Sequence, residues 1–383
     1  MARLTKFVAT TFFGLEPALE QELLAIGAQD VEQLPRAVSF KGDLKTLYKA
    51  NLWLRTGVKV LKPIAEFDAE DENELYKKAK MIDWEAHFKL EETFAIDGTV
   101  SGDLFTHSKY IALKLKDAIA DQFRAKYDKR PNVDVENPTV RINIRIAQNK
   151  CTISIDSSGT PLTKRGYRTN STSAPLNEGL AAGLILLTDW DKKSPFIDPM
   201  CGSGTIAIEA ALMATNTAPG LIRNFAFQKW GDFNETLWKE VKDEAKAAIT
   251  SSRVVTALDS DRLALRTARE NAERAGMKDA IRFELADFTK DPEEHEGATI
   301  IMNPPYGERL NRNLDMVPFY KAIGTQLKHR FGGCQAWIIS SNVDAMKSVG
   351  LRTSRRIKLF NGALECQYHG YDLYAGSKKA KKQ

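Results

Sequence analysis

An amide, two prolines and an aromatic ring follow one another in Asn303-Pro304-Pro305-Tyr306, directly after the strand-like run 298–302. The lone pair of an aryl amino group is delocalised into its ring, so that nitrogen is a poor nucleophile. The Asn303 side-chain oxygen and the Pro304 carbonyl can accept its two hydrogens and favour a more pyramidal nitrogen. Tyr306 offers a face for a base taken out of its stack. We therefore predict Asn303, Pro304 and Tyr306 as catalytic residues; the alternative is a proline turn that closes a buried strand.

A second motif predicts a ligand-binding turn. The apolar run 196–197 ends at Asp198, the small residues Gly202, Ser203 and Gly204 follow, and apolar residues then recur at helical spacing. Two glycines let backbone N–H groups approach a ligand just before a helix N-terminus, where a carboxylate or phosphate is favoured. The pattern is neither GxGxxG nor GxxxxGK[ST], which disfavours a phosphate cradle. A purely structural glycine bend is the alternative.

The two motifs together resemble those of class I S-adenosylmethionine (SAM)-dependent methyltransferases that act on an exocyclic or side-chain amino group. Asp198-Pro-Met-Cys-Gly-Ser-Gly-Thr205 carries the first motif, and Asn303-Pro-Pro-Tyr306 follows about a hundred residues later. The resemblance implies SAM as the cofactor, with Asp198 attracting its ammonium group and N–H groups near Gly202 its carboxylate. The cofactor-binding residues implied in this turn are Asp198, Met200, Cys201, Gly202, Ser203, Gly204 and Thr205.

Acidic residues at the ends of two further predicted strands complete the implied cofactor site, because such sheets bind ligands outside the carboxyl ends of their strands. Asp259 follows the run 254–258 and can accept hydrogen bonds from both ribose hydroxyls. It lies 55 residues after Gly204, so an insertion, residues 216–252, must intervene. Asp287 could accept from the adenine amino group while Phe288 packs beside the ring. A carboxylate that caps the next turn is the alternative for Asp287.

The chain is long enough for more than one domain. Its 383 residues suggest two or three domains, and 43% apolar residues suffice to fill their cores. A net charge of +5 permits a polyanionic partner without requiring one. The four cysteines contain no CxxC pair, so we expect neither a metal site nor disulfides, and a cytoplasmic location. No apolar run is long enough to span a membrane, and nothing indicates an oligomer.

Two small units are predicted ahead of the motifs. Strand and helix patterns in residues 1–66 indicate an α+β unit. Residues 67–160 contain a helix at Ser108–Phe123 and a predicted hairpin of strands 140–146 and 151–155. Basic side chains cluster on and just after that helix. They form either a surface for nucleic-acid phosphates or ordinary solvated charge.

A linker broken by glycine and proline follows at residues 157–168. It surrounds one aromatic residue with basic ones, a composition suited to stacking on a base and contacting phosphates. The side chains predicted to contact RNA are Lys164, Arg165, Tyr167 and Arg168.

Nearly the whole chain resembles the THUMP-domain RNA methyltransferases. Besides the two motifs and the linker, the resemblance rests on Asn51-Leu-Trp-Leu-Arg-Thr56, Ala174-Pro-Leu-Asn-Glu-Gly-Leu-Ala181 and Asn361-Gly-Ala-Leu-Glu365. It is strongest to the N-terminal, guanine-N2-methylating half of the bacterial methyltransferases of 23S ribosomal RNA, which is often catalogued as an N6-adenine-specific DNA methylase. It implies an α/β, Rossmann-like class I methyltransferase with a seven-stranded mixed sheet, preceded by an N-terminal α+β ferredoxin-like and THUMP region.

The domain boundaries and the function follow from this resemblance. The implied domains are a ferredoxin-like unit at 1–66, a THUMP RNA-binding domain at 67–160, a linker and leading helix at 161–185, a methyltransferase domain at 186–375 and a basic tail at 376–383. The implied function is methylation of guanine N2 in 23S ribosomal RNA. Methylation of adenine in RNA or DNA, or of a glutamine side chain, is an alternative, as is a noncatalytic RNA-binding or ribosome-assembly factor. Intact Asp198, Asp259 and Asn303 favour an enzyme.

Overall fold

The computed structural model describes residues 4–168, 176–290, 293–305 and 316–374. The predicted catalytic residue Tyr306 and the basic tail 376–383 lie outside the described residues. Two units draw on interleaved stretches of the chain. The first unit comprises Met1–Thr11, Leu19–Leu162 and Arg223–Lys242, and the second comprises Phe12–Ala18, Thr163–Ile222 and Asp243–Gln383.

The first unit is built on one sheet of seven strands. The strands are β1 (Thr5–Thr10), β2 (Gln29–Leu34), β3 (Ala37–Gly42), β4 (Lys59–Asp68), β5 (Phe94–Ser101), β6 (Val140–Ala147) and β7 (Lys150–Asp156). The helices in this part of the chain are α1 (Glu16–Ala25), α2 (Leu44–Trp53), α3 (Glu72–Lys80) and α4 (Ser108–Tyr127). The strand order is β2-β3-β1-β4-β7-β6-β5, in which β5 and β6 are parallel and the other neighbours antiparallel.

Strand β4 ties the two predicted N-terminal units into this single sheet. It pairs with β1 on one side and with β7 on the other, and it runs across the boundary expected at residue 66. The predicted hairpin is confirmed, because β6 pairs antiparallel with β7 and places Ile142 opposite Ile155. The alternation along β6 buries its isoleucines and leaves Arg145 exposed.

Residues 223–242, called the aromatic strap below, pack in the first unit although they lie within the predicted methyltransferase sequence. Phe227 of the strap stacks on the buried Tyr48 of α2, with ring centroids 4.5 Å apart. Trp238 meets both rings edge-on, at centroid distances of 5.7 Å and 5.2 Å. Part of the predicted insertion 216–252 therefore completes the aromatic core of the first unit.

The second unit is a sheet of seven strands with helices between them. The strands are β8 (Phe196–Asp198), β9 (Val255–Asp259), β10 (Ile281–Leu285), β11 (Thr299–Met302), β12 (Gln335–Ser340), β13 (Arg355–Asn361) and β14 (Leu364–Asp372). The helices in this part of the chain are α5 (Glu178–Leu186), α6 (Thr205–Ala214), α7 (Glu235–Ala247), α8 (Arg262–Arg274), α9 (Val317–Arg330) and α10 (Val343–Lys347), and residues 235–242 of α7 belong to the first unit. The order is β10-β9-β8-β11-β12-β14-β13, with β14 antiparallel to both neighbours and the remaining pairs parallel, which confirms the predicted mixed sheet.

Helices α5 and α6 are buried over most of their length. Every residue from Thr205 to Met213 in α6 is buried, as are Glu178 to Ile185 in α5. Gly183 permits this packing, because a Cβ there would lie 2.4 Å from a methyl carbon of Leu15. A helix buried in this way holds the turn before it in place, but it also requires a partner inside the protein for its acidic residue, Glu209.

Candidate active site

Four parallel strands end at one edge of the second sheet and present predicted site residues there. β8 ends at Asp198, β9 ends at Asp259, β11 ends directly before Asn303, and β10 ends two residues before Asp287. β9 and β10 lie on one side of β8, whereas β11 and β12 lie on the other, so the strand order reverses at β8. Open α/β sheets bind ligands at this switch point. The fold thus brings the two sequence motifs to adjacent strand ends.

Asp198 carries a buried carboxylate oxygen that has no hydrogen-bond partner in the described part of the chain. The side chain is 1% exposed, and its Oδ2 accepts a hydrogen bond of 3.2 Å from the Ala207 N–H of α6. Its Oδ1 is buried and has no hydrogen-bond partner among the described residues. Burial raises the pKa of Asp198 to about 8. The hydrogen bond from Ala207 and the nearby Met200 N–H lower it in part, and repulsion from Asp259 adds to the increase. A buried oxygen of this kind requires a donor or a cation, which an ammonium group supplies.

The glycine turn between β8 and α6 requires glycine at two positions. Gly202 and Gly204 have φ of +52° and +82°, in the left-handed region. A Cβ at Gly204 would lie 2.9 Å from the Cβ of Ala268 in α8, whereas a Cβ at Gly202 would meet no atom within 4 Å. The turn is therefore closely packed on the α8 side and open at Gly202.

Asp259 links the end of β9 to this turn. Its Oδ2 accepts from the Gly202 N–H at 2.8 Å, and its Oδ1 accepts from the Asp261 N–H at 2.9 Å. A carboxylate has about four lone-pair sites, so each oxygen keeps capacity for a further donor such as a ribose hydroxyl. Asp261 caps α8 by accepting from the Leu263 N–H.

The remaining turn residues are fixed by their neighbours. The Cys201 N–H donates to the Leu258 carbonyl at 2.9 Å, and burial raises the pKa of the Cys201 thiol well above its usual value, so the thiol stays neutral. Met200 is half-buried and packs on the apolar cluster beneath the strand ends. The carbonyl of Ser203 and the hydroxyl of Thr205 accept hydrogen bonds from side chains outside the turn.

Asp287 has the capping role that was the alternative to cofactor binding. It accepts from the Thr289 N–H at 3.0 Å and from the Thr289 hydroxyl at 2.6 Å, and it pairs with Lys290 at 3.0 Å. These contacts, the Thr289 hydroxyl first, hold the pKa of Asp287 below its usual value. Phe288 is 3% exposed and stacks on Phe331, with centroids 5.3 Å apart, so the predicted contact with adenine finds little free ring surface.

The linker residues predicted to contact RNA are in large part internal. Arg165 and Tyr167 are each 1% exposed. Arg165 Nη2 donates to the carboxylate of Glu209 at 3.3 Å, and the Tyr167 hydroxyl donates to the same carboxylate at 3.2 Å. This burial contradicts their predicted contact with RNA: the charge of Glu209 inside α6 has to be compensated within the protein. Arg168 is half-buried, and Lys164 is exposed.

Asn303 and Pro304 stand at the end of a fully buried strand. The residues of β11 from Ile300 to Met302 have no exposed surface, Pro304 is buried, and Asn303 is half-buried. A strand held on both faces gives the residues that follow it little freedom. The backbone at Asn303 and Pro304 is thus fixed beside the end of β8.

Glu209 and Asn271 were missed by the sequence reasoning. Both left a signal: Glu209 is the charged residue of an otherwise nonionic helix, and Asn271 lies on the buried stripe of α8 with Leu265, Ala268 and Ala272. Polar residues at such positions require internal partners. Within the described ranges, no cluster of three or more His, Cys, Asp and Glu residues could hold a metal ion. No helix in the same ranges has the length and hydropathy to cross a bilayer.

Comparisons with known proteins agree with this architecture. The model of the RMKL-like methyltransferase domain matches residues 165–369, the THUMP domain model matches 69–156, and the RlmL ferredoxin-like domain model matches 6–61. The chain is 40% identical over 381 residues to the ribosomal RNA large subunit methyltransferase K/L of Syntrophotalea carbinolica, which covers 96% of this chain and 53% of that protein. This chain therefore spans about half the length of that curated relative.

A relative of similar length and a solved structure complete the comparison. A Synechocystis protein named as a candidate RNA methyltransferase is 40% identical over 372 residues, 96% of this chain and 97% of its own length. SMU.472, named as a candidate methyltransferase and solved in complex with S-adenosylhomocysteine (SAH), is 30% identical with a TM-score of 0.87 over 98% of this chain and 100% of its own. The sheet order, the strand-end site and these matches show that the chain belongs to the RMKL-like family of methyltransferases and has the class I methyltransferase fold.

Proposed function

We propose that this protein transfers a methyl group from SAM to an exocyclic amino group of RNA, namely N2 of a guanine in 23S ribosomal RNA. The observation that carries the proposal is the position of Asn303-Pro304 directly after β11, next to the strand β8 that ends at Asp198 and the glycine turn. The THUMP match in the first unit supports RNA as the substrate. The names of the Syntrophotalea and Synechocystis relatives support ribosomal RNA and RNA, respectively.

The strand-end residues fit the methionine and ribose parts of SAM. The partnerless Oδ1 of Asp198 suits the ammonium group, and the open space at Gly202, just before the N-terminus of α6, suits the carboxylate. Asp259 keeps acceptor capacity for the ribose hydroxyls. When bound, SAM supplies an electrophilic methyl group. SMU.472, solved with SAH, supports this assignment.

Asn303 and Pro304 would act on the target amine. The Asn303 side-chain oxygen and the Pro304 carbonyl accept its two hydrogens, so the nitrogen lone pair is held out of conjugation with the base and toward the methyl donor. Because the amine is already oriented toward the methyl donor, the reaction loses less entropy on the way to the transition state. The acceptors need no ionisation. The methylated nitrogen would carry one surplus proton, and because an aryl ammonium is a strong acid, that proton would pass to water without a titratable side chain.

The test is product identification. The protein is incubated with unmodified 23S and 16S ribosomal RNA transcripts and methyl-labelled SAM, and the RNA is digested to nucleosides. N2-methylguanosine from the 23S transcript is the expected product, and Asn303→Ala, which should transfer the methyl group about a hundredfold more slowly, is the matched control. N6-methyladenosine, or label in a DNA copy, would refute the guanine assignment. An unlabelled RNA that nevertheless binds the protein would indicate a noncatalytic RNA-binding factor.

A further inference from the structure

The glycine turn is held from outside by two side chains. Gly204 is the N-cap of α6 and has no side chain with which to bond the first turn of the helix. A glycine turn does not define its own geometry, because glycine has access to many backbone conformations. Asn271 donates to the Ser203 carbonyl at 2.9 Å, and Arg168 donates to the Thr205 hydroxyl at 2.8 Å. The residues on both sides of Gly204 are therefore fixed.

The contact from Asn271 is one link in a chain of hydrogen bonds that starts in the linker. Asn271 is 1% exposed, and its Oδ1 accepts from Arg274 at 2.7 Å. Arg274 also donates from Nε to the Tyr167 carbonyl at 2.8 Å. The orientation of the Asn271 amide is unambiguous, since Arg274 can only donate and the Ser203 carbonyl can only accept. Linker backbone and glycine turn are thus joined through two side chains.

Arg168 reaches the same turn directly from the linker. Its Nη2 donates to the Leu176 carbonyl at 2.7 Å as well as to the Thr205 hydroxyl, and its Nε lies 3.6 Å from the Glu178 carboxylate. Glu178 is itself buried, so the two charges compensate each other inside the protein. A guanidinium engaged in this way is poorly suited to an RNA phosphate.

The linker is in turn anchored on the helix that the turn begins. Arg165 and Tyr167 both bond Glu209, which lies one turn after Thr205 in α6. The linker backbone therefore cannot shift without breaking buried bonds to α6. The linker backbone from which Arg168 extends, and to which Arg274 donates, is therefore held in place.

From these contacts we infer that Arg168, Asn271 and Arg274 are positioning residues that set the affinity of the glycine turn for its cofactor. The linker segment 165–168 would then serve cofactor binding, despite a composition typical of RNA contacts. The inference rests on the proposed function, because the cofactor is taken to be SAM. Without these bonds the turn would leave its binding geometry part of the time, and the apparent affinity would fall by the fraction of time lost.

The test measures SAH binding to the full chain by calorimetry in two variants. Asn271→Asp keeps the shape and the acceptor for Arg274 but removes the donor to the Ser203 carbonyl. Arg168→Lys keeps the charge beside Glu178 but cannot bond two acceptors in the same geometry. Each variant should raise the Kd for SAH about tenfold. RNA affinity and its salt dependence should stay at the parent values, and the KM for SAM should rise while kcat at saturating SAM is retained.

The control and the possible outcomes separate a positioning role from a purely structural role and from an RNA contact. Arg266→Ala, which removes an exposed charge from the same helix, is the control and should bind SAH like the parent protein. A purely structural role would lower the melting temperature yet leave the Kd of the folded protein unchanged, and would overturn the inference. Weaker RNA binding by Arg168→Lys with an unchanged Kd for SAH would overturn it too, in favour of an RNA contact. If the parent protein binds neither SAM nor SAH, the proposed function and the inference both fall.

Discussion

Cofactor binding should release a proton and become tighter as the pH rises toward 8. Burial raises the pKa of Asp198 to about 8, so at neutral pH most molecules carry a neutral carboxylic acid there. An ammonium group beside the partnerless Oδ1 favours the ionised form. If Asp198 holds the ammonium group, binding of SAM or SAH should release the Asp198 proton in the pH range between its lowered pKa in the complex and about 8.

The size of the effect follows from the ionised fraction of Asp198. With a pKa of about 8, that fraction is about 10% at pH 7 and about 1% at pH 6, and the apparent affinity is reduced by the same fraction. Ionisation then costs about 1.4 kcal/mol at pH 7 and about twice that at pH 6. The Kd should fall about fiftyfold from pH 6 to pH 8 and level off above that range.

Calorimetric titration with SAH at pH 6, 7 and 8, in two buffers of different ionisation enthalpy, measures both the Kd and the protons released. Asp198→Asn is the matched control, and it should bind SAH more weakly and without this pH dependence. Folding stability should depend on pH in the opposite direction to cofactor affinity. Because the folded-state pKa of Asp198 is raised above its usual value of 3.8, its contribution to stability is present below about pH 4 and is lost as the pH rises through about 8. A constant Kd with no buffer-dependent heat would refute Asp198 as the ammonium partner.

Four further changes test other parts of the molecule. Asp259→Ala removes the acceptor for the Gly202 N–H and for the ribose, so SAH affinity should fall at least about tenfold by calorimetry, and unchanged affinity would remove Asp259 from the site. Asn303→Ala should keep SAH affinity but slow single-turnover methyl transfer about a hundredfold, with Asn303→Asp intermediate; a parental rate in the alanine variant would mean that Asn303 merely closes the strand. Glu209→Ala leaves a buried arginine charge uncompensated and should lower the free energy of unfolding by about 3–5 kcal/mol in urea titrations, whereas a loss under about 1 kcal/mol would argue against the buried pair. A fragment of residues 4–162 lacks the aromatic strap and should lose cooperative unfolding, which covalent addition of residues 223–242 should restore; a cooperative transition in the bare fragment would contradict this role.

The strand-end site could be predicted because its signals are local. Asp198, Asp259 and Asn303 each end a short apolar run, and parallel strands place such ends at one edge of a sheet. The hairpin of β6 and β7 could be predicted equally well, because strict alternation of apolar and polar residues along β6 indicates a strand with one buried face. Strand β5 was missed because Asp97 and Gly98 interrupt its apolar pattern. The sequence left two roles open for Asp287, cofactor binding or capping of the next turn. Its contacts with Thr289 and Lys290 in the structure favour capping.

Contacts between residues far apart in the sequence could not be predicted from local patterns. Arg165 and Tyr167 were assigned to a surface because their neighbours are polar, yet both bond Glu209, more than forty residues later. The aromatic strap is separated from Tyr48 by a still longer stretch of chain. Composition records which charges and rings a segment has, but burial depends on what the rest of the fold places against them. Glu209 stands out as the charged residue of its helix, but nothing near it in the sequence indicates that its partner is Arg165.

The same reasoning limits how much of the basic composition is available to RNA. In the linker, Arg165 and Arg168 compensate the buried carboxylates Glu209 and Glu178, and Lys164 is the remaining exposed lysine or arginine of residues 164–168. On α4, the cations that pair with carboxylates are Lys116, Arg124 and Lys126. Further exposed cations at the ends of this helix and just after it are Lys109, Lys129 and Arg130. Phosphate contacts dominate RNA affinity. The exposed cations on and just after α4 are therefore better candidates for contacts with RNA than the basic residues of the linker.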